Sequence, residues 1–462
     1  MTHREKTLHE ERSGAPVSAG GWGLRHRMNG SPRHRSVRST AAAAPEPAGP
    51  QEVIDCLREI LRPLPAERIG LVRALGRVLR ETIVAPEDQP AFDRSSVDGY
   101  AVRRDDPRSR FRVVDELRAG DWRPRQLEPG QSVAIATGAA LPCAGLEVMM
   151  LEDVQRQGDW IRARRRPGAA HIRSRGEDAR AGAVLAEPGL VLAPGALALL
   201  ASSGHTRLWV TRQTRALHVA TGGEIVDPRR KPGPGQIRDA NSILVRAFLE
   251  PWQARLRQLR SPEDPAAAEA PLARWLGSPD GAEPPEDGVD LLLISGGASV
   301  GPHDLTRAWL ERLGFTIRIH QTRTRPGKPL LVAQRGSTIA FGLPGNPLAH
   351  FVALNLYVRT ALEAFSGTPA RPGFRRGVLQ CGLASDSCER ETFWPARGGF
   401  EDGCVVLQPL RWRSSGDLTS LAAANALIRV PRGTRRMAPG HAVEFVSACL
   451  GRSDFENRTS HD

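Results

Sequence analysis

The chain has 462 residues, 40% of them hydrophobic and only 5% aromatic, with 64 Lys plus Arg against 51 Asp plus Glu for a formal net charge of +13. That length suits about three domains, and no apolar run reaches the ~18 residues a bilayer span requires, the best (190–202) being cut by Pro194 and Gly195. The charged N-terminus lacks the apolar core of a secretory signal, and Cys56, Cys143, Cys381, Cys388, Cys404 and Cys449 form no CxxC pair, so neither a zinc site nor a disulfide framework is supported and a reducing cytoplasm fits.

Residues 1–48 are rich in Arg, Ser, Gly and Ala without periodicity and read as a disordered tail, with the Ala/Pro run 41–50 as a linker. From Gln51 the spacing of Val53, Leu57, Ile60 and Leu61 predicts a helix, and a second helix is expected over 66–80. Residues 92–168 read as short alternating strands broken by Gly and Pro, a small β-rich module. A short helix is expected over 194–203. Within 213–368, apolar runs at 215–220, 289–294 and 338–341 each end in a Gly-rich turn and lead to helical patterns at 242–250, 306–313 and 348–365. Strand, glycine turn, helix, repeated, predicts a doubly wound α/β sheet. The Pro/Ala/Glu-rich stretch 259–288 reads as a surface insertion, and 372–450 as a C-terminal β-domain. The fold class expected is therefore multidomain α/β plus β.

In open α/β sheets ligands bind beyond the carboxyl ends of the strands. The three turns there are Thr221-Gly222-Gly223-Glu224, the run from Ser295 through Gly296, Gly297 and Ser299 to Gly301, and Gly342-Leu343-Pro344-Gly345-Asn346-Pro347. Successive backbone N–H groups in such turns can form an anion nest, and Pro347 suits the first turn of a helix whose N-terminus also favours anions. They read as an oxyanion cleft or as plain tight turns. Glu224, Asp239 and Asp304 lie around the same edge; each can ligate a hard cation such as magnesium, or be solvated or cap a helix. Lys328, one of only three lysines, sits in Arg325-Pro326-Gly327-Lys328-Pro329 and suits a point-charge oxyanion ligand or an ordinary loop. Asp98-Gly99, Thr137-Gly138 and the Arg/carboxylate cluster 171–178 read either as ligand contacts or as turns and ion pairs. The positive charge fits an anionic partner or merely Arg-rich solvated faces; few aromatics and no recognised motif argue against nucleic acid.

The motifs FDRSSVDGYAV (92–102), ATGAALP (136–142), IRSRGEDARAG (172–182), ATGGEI (220–225), SGGASVGPHD (295–304), RPGKP (325–329), GLPGNP (342–347) and SGDLTSLAAAN (415–425) follow one another along the chain. In that joint order, over about residues 51–450, the sequence resembles the molybdopterin molybdenumtransferases, the family of bacterial MoeA and the gephyrin E domain. The resemblance implies four domains, with 51–91 and 169–212 as a linker and dimerisation domain and 213–368 as a MogA-like α/β domain. It implies a homodimer with its cleft at the dimer interface, partnered by no membrane and by no nucleic acid, with other cofactor-maturation proteins as further partners. The implied substrates are adenylylated molybdopterin and molybdate, with magnesium, giving molybdenum cofactor and AMP. On this resemblance Asp98, Thr137, Arg173 and Asp178 lie near the cleft, and Glu224, Asp239 and Asp304 serve activity and cation binding. Lys328 and Arg325 (usually lysine) bind oxyanion, Pro344 and Pro347 belong to the nucleotide-side loop, and Arg390 and Ser415 match molybdate-site positions. Three departures stand out: Gly223 where the family has Asp, Ala349 where it has Ser, and the stretch 143–150. They keep open a second reading, a non-catalytic molybdopterin-binding scaffold.

Overall fold

The computed structural model describes residues 46–261, 272, 275–276, 288–296, 305–368, 374–385 and 389–448. Nearly all of the expected disordered tail, most of 259–288, and the candidate residues Gly297, Ser299 and Asp304 lie outside the described residues. The linker expected over 41–50 is anchored at its end: Ala48 bridges Thr322, with its N–H donating to the Gln321 carbonyl at 3.2 Å.

Helix α1 (Pro50–Ile60) starts on proline and carries an apolar stripe of Val53, Ile54 and Leu57, all buried. The helix expected over 66–80 is instead a strand, Ala66–Gly70, paired antiparallel with Arg207–Thr211 and followed by a 3-10 turn, Leu71–Ala74. Long-range pairing overrode local spacing here: Leu208 and Val210 bury against Ala74 and Leu79, a contact a helix would forfeit. Helix α2 (Pro194–Ser202) closes that small core with Leu200.

Between these segments lies a six-stranded sheet made of Gly99–Arg103, Arg110–Leu117, Gln131–Ile135, Leu146–Met150, Val154–Gln157 and Trp160–Ala163. Gly99 is required there, because a Cβ would collide with the carbonyl of Met149 on the neighbouring strand.

The central sheet is built from β1 (Arg215–Thr221), β2 (Arg255–Ser261), β3 (Leu291–Ser295), β4 (Thr316–His320), β5 (Leu331–Arg335) and β6 (Thr338–Leu343), in the order β2-β1-β3-β6-β5-β4. β2, β1, β3 and β6 are parallel, and β5 runs antiparallel between β6 and β4. Alternate residues feed two cores. Ala216, Leu291, Leu293, Ile339, Phe341 and Leu343 face one, while Leu217, Val219, Leu292, Ile294 and Ala340 face the other. The first is covered by α3 (Asn241–Leu249) and by α5 (Pro347–Ala353), which runs through a π turn, Leu354–Val358, into α6 (Arg359–Ser366). The second takes Trp309 and Leu310 from α4 (Leu305–Arg312).

Two sequence expectations change here. β2 occupies the first residues of the supposed insertion, and Leu272 and Leu276 within that stretch are buried in the second core, so it is in part structural. Helix α1 belongs to the central sheet, where Val53, Ile54 and Leu57 pack with Tyr357, Ala361 and Phe365, rather than with the 169–212 segment.

The C-terminal strands Phe374–Leu379, Glu391–Glu401, Cys404–Pro409, Ala426–Val430 and Ala442–Ser447 pair in a closed cycle, a small barrel. A two-residue strand, Thr324–Arg325, runs parallel to its long strand and ties the barrel to the central sheet.

Glu363 on α6 is an acid in an apolar setting. Burial pushes its carboxyl up to about 7 against the opposing pull of Arg359 and Arg58. Between the ordinary 4.5 and about 7 the folded state therefore keeps a proton that the unfolded chain has lost, so stability falls as pH rises through that window. Glu363→Gln is expected to match the parent melting temperature near about pH 5 and to exceed it near about pH 8, read by circular dichroism; an equal shift at both would contradict this.

Candidate functional site: an anion cleft at the sheet edge

The register holds three strand ends level, since Ala220 pairs with Ser295 and Ser295 with Leu343. The turns leaving β1, β3 and β6 consequently open onto one cleft of about 610 Å³. Its described lining includes Thr221, Glu224, Asp239 and Asn241 after β1, Ser295 and Gly296 at β3, and Pro344, Gly345 and Asn346 after β6. Residues 325–329, Arg390 and 412–415 form the barrel side. Gly296 lies at φ +92°, and a Cβ there would sit 2.8 Å from the Thr221 carbonyl oxygen, so only glycine lets the two turns meet.

The 325–329 loop is closed by the Thr322 N–H donating to the Lys328 carbonyl at 3.0 Å. It is anchored by Thr324, whose hydroxyl bonds Thr322 Oγ1 at 2.9 Å and the buried Tyr357 hydroxyl at 2.5 Å. Burial raises that phenol to about 12, so it stays neutral. Arg325 stacks over Trp412, 5.3 Å from the ring centroid. Burial lowers the Arg390 pKa, and the Arg325 guanidinium beside it lowers it further. Two like charges so placed gain from an anion between them. With Lys328 and Arg413, the described lining carries four cationic residues.

The loop after β6 is tied at each residue. Asn241 Nδ2 donates to the Gly345 carbonyl at 2.8 Å, His350 Nδ1 bonds the Pro344 carbonyl at 3.1 Å, and Asn346 Nδ2 donates to Ser415 Oγ at 2.8 Å. Pro347 does not line the cleft but opens α5 directly behind it.

The acids divide. Asp239 is buried, with Oδ1 accepting from the Ser242 amide at 2.9 Å and Oδ2 from the Ser242 hydroxyl at 2.6 Å and Arg260 Nε at 3.0 Å. Burial alone would raise its pKa, but these donors outweigh it and hold the carboxyl below the usual range. These three donors place its carboxylate at the start of α3, the helix-capping role that the sequence left open beside cation binding. Glu224 is exposed on the cleft wall. Among the described residues no three His, Cys, Asp or Glu side chains are grouped to hold a metal. The donor set fits a cation shared between Glu224 and a ligand's own oxygens, not a closed protein cage.

Asp98, Thr137, Arg173 and Asp178 are absent from the described lining. They form two contacts in the β-rich part: Asp98 Oδ1 accepts from the Thr137 amide, not its hydroxyl, at 2.7 Å, and Arg173 ion-pairs with Asp178. A second hollow of about 760 Å³ there, lined by Phe92, Trp122, Leu141 and Cys143, lacks the cationic set. Asn241, Trp412 and Arg413 line the cleft without belonging to any of the motifs; the Arg-Trp-Arg run 411–413, just before Ser415, is the one signal in the sequence for the last two. Of the three departures from the family pattern, Ala349 lines the cleft, while Gly223, next to the lining residue Glu224, has open space at its Cβ position. No helix among the described residues is long and apolar enough to cross a membrane.

An α/β domain flanked by β-rich segments and a C-terminal barrel, with a cationic cleft at the switch of its strands, defines a MoeA-type architecture. Family models agree: the MoeA N-terminal region (domain I and II) matches residues 49–204, a probable molybdopterin binding domain 218–364, and the MoeA C-terminal region (domain IV) 376–447. The molybdopterin molybdenumtransferase of Bacillus subtilis is 32% identical over 399 residues, covering 82% of this chain and 89% of that protein. That of Staphylococcus epidermidis is 27% identical over 389 residues, covering 82% and 90%. The crystal structure of the molybdopterin biosynthesis MoeA protein from Pyrococcus horikosii superposes with a TM-score of 0.72 at 26% identity, covering 87% of this chain and 100% of that one. The chain belongs to the molybdopterin molybdenumtransferase family.

The division of acids is testable by unfolding. Asp239→Ala strands the Ser242 amide and Arg260 and is expected to cost about 2 kcal/mol in urea, whereas Glu224→Ala should stay within about 0.5 kcal/mol of the parent. Equal losses would contradict the assignment.

Proposed function

We propose that this chain is a molybdenum-inserting transferase acting on adenylylated molybdopterin and molybdate, releasing AMP and molybdenum cofactor. The observation that carries the reading is the convergence of three turns and the cations Arg325, Lys328 and Arg390 on one cleft. The proposed substrates are anionic at the pterin phosphate, the adenylate phosphate and molybdate, and each needs fixed N–H or cationic donors. Lys328 and Arg325 would hold one oxyanion, Arg390 and Ser415 the molybdate, and the backbone N–H of Gly345, in the turn after β6, the nucleotide side. Magnesium would be held by Glu224 together with phosphoryl oxygens, and when bound it supplies polarisation of those oxygens. The fixed donors of the chain then stabilise charge developing on the leaving phosphate.

We further propose a homodimer in which Asp98, Thr137, Arg173 and Asp178 of a second copy complete the cleft. Two observations support it: none of the four lines the cleft of its own chain, and Val72, Leu75, Leu190, Leu199 and Trp209 expose apolar surface around the pairing of Ala66–Gly70 with Arg207–Thr211. The scaffold reading rests on Ala349 in the cleft lining and on Gly223 beside the lining residue Glu224. It expects pterin binding without turnover, with activity restored by Gly223→Asp and Ala349→Ser.

Purified protein given adenylylated molybdopterin, magnesium and molybdate is expected to release AMP, followed by chromatography. Release no greater than from heat-killed protein, with the pterin still bound, would favour the scaffold. Lys328→Ala should lower kcat/KM about 10- to 100-fold. If the cleft is shared between copies, impaired Asp98→Asn and Lys328→Ala chains should regain activity when co-expressed as mixed dimers. No regain would place the whole site within one chain.

A further inference from the structure

Two buried histidines beneath the cleft are not used by the reading above. His218 on β1 is fully buried, and its Nε2 lies 2.6 Å from Oγ of Ser295, the last residue of β3, which lines the cleft. The hydrogen-bond roles along this line are determined by their neighbours. Gln258 Oε1 accepts from Arg246 Nη2 at 2.8 Å, which fixes its amide nitrogen on the other side. That nitrogen donates to the Ser242 carbonyl at 2.8 Å and faces His218 Nδ1 at 3.1 Å. A flipped amide would set oxygen against the Ser242 carbonyl and N–H against the Arg246 guanidinium, so His218 Nδ1 must accept. The single hydrogen of the neutral ring is then on Nε2 and donates to Ser295 Oγ. Burial, reinforced by the nearby His350, lowers the His218 pKa to about 3, so the ring remains neutral at working pH.

Ser295 Oγ thus has an acceptor lone pair occupied from behind, while its own hydrogen has no acceptor among the described residues. We propose that His218 is a positioning residue that fixes the Ser295 hydroxyl as a one-way donor to an oxyanion oxygen of the ligand at the cleft floor. The inference rests on the transferase reading and adds a neutral donor to its cations. A neutral O–H takes an anionic oxygen without adding charge, and a phosphoryl or molybdate oxygen meets that chemistry equally. Arg246, Gln258 and Ser242 act behind it as the set that selects the ring tautomer.

The test measures equilibrium binding of AMP, molybdate and adenylylated molybdopterin to the full chain by calorimetry, for the parent, Ser295→Ala, His218→Leu, the double variant and His218→Gln. Ser295→Ala and His218→Leu should each weaken at least one ligand about 5- to 30-fold. The double variant should be no weaker than Ser295→Ala alone, because His218 acts through Ser295. His218→Gln, which keeps an N–H at similar reach, should recover part of the loss. The arm that weakens identifies the oxyanion. Parent-like binding by Ser295→Ala in every arm, or losses that multiply in the double variant, would overturn the proposal. Should His218→Leu fail to fold, Ser295→Ala and His218→Gln carry the test. A parent chain that binds none of the three ligands would instead remove the transferase reading itself.

Discussion

Parallel register is the constraint on which the rest depends. Because Ala220, Ser295 and Leu343 are level across β1, β3 and β6, the three turns that follow must open on the same side of the sheet. One residue of slip would move a strand's buried side chains to the opposite face, exchanging Leu293 and Ser295 with Leu292 and Ile294. The two cores therefore lock the register, and the locked register makes the cleft. Pairing of Thr324–Arg325 with the barrel adds the fourth wall, so that the 325–329 loop is positioned by both bodies it joins.

The electrostatics follow from that placement. Positive charge is gathered where burial already disfavours it, most clearly at Arg390 beside Arg325, and the site is improved by an incoming anion. Partial burial also limits screening by salt, which weakens exposed pairs far more. Asp239, one of the three acids the sequence offered for a cation, joins the start of α3 to Arg260 on β2 and so steadies one wall of the cleft. Beneath the floor, His218, Gln258 and Ser242 form a buried polar line in which each donor has its acceptor, the condition under which such networks specify a geometry rather than weaken a core.

What was legible in the sequence was local. Apolar runs ending in glycine turns gave β1, β3 and β6, the helices behind them and the cleft, since each signal lies within a few residues. β2 escaped notice because Arg255–Ser261 is an edge strand whose Arg-rich alternation resembles a solvated face. The helix expected over 66–80 failed because its partner, Arg207–Thr211, is far along the chain. The cleft residues from the barrel side, Trp412 and Arg413, carry no motif of their own. His218 and His350 stand inside apolar segments, where a lone histidine is indistinguishable from a core residue until its neighbours are known. The joint order of eight motifs was the strongest signal, and family membership, resting on matches along most of the chain, upholds it.

A crystal structure of the protein soaked with AMP and molybdate tests the central claim most directly. Oxyanion oxygens are expected within about 3.5 Å of Lys328 Nζ and of the backbone N–H of Gly345. Anions bound elsewhere, with this cleft left to solvent, would contradict the account.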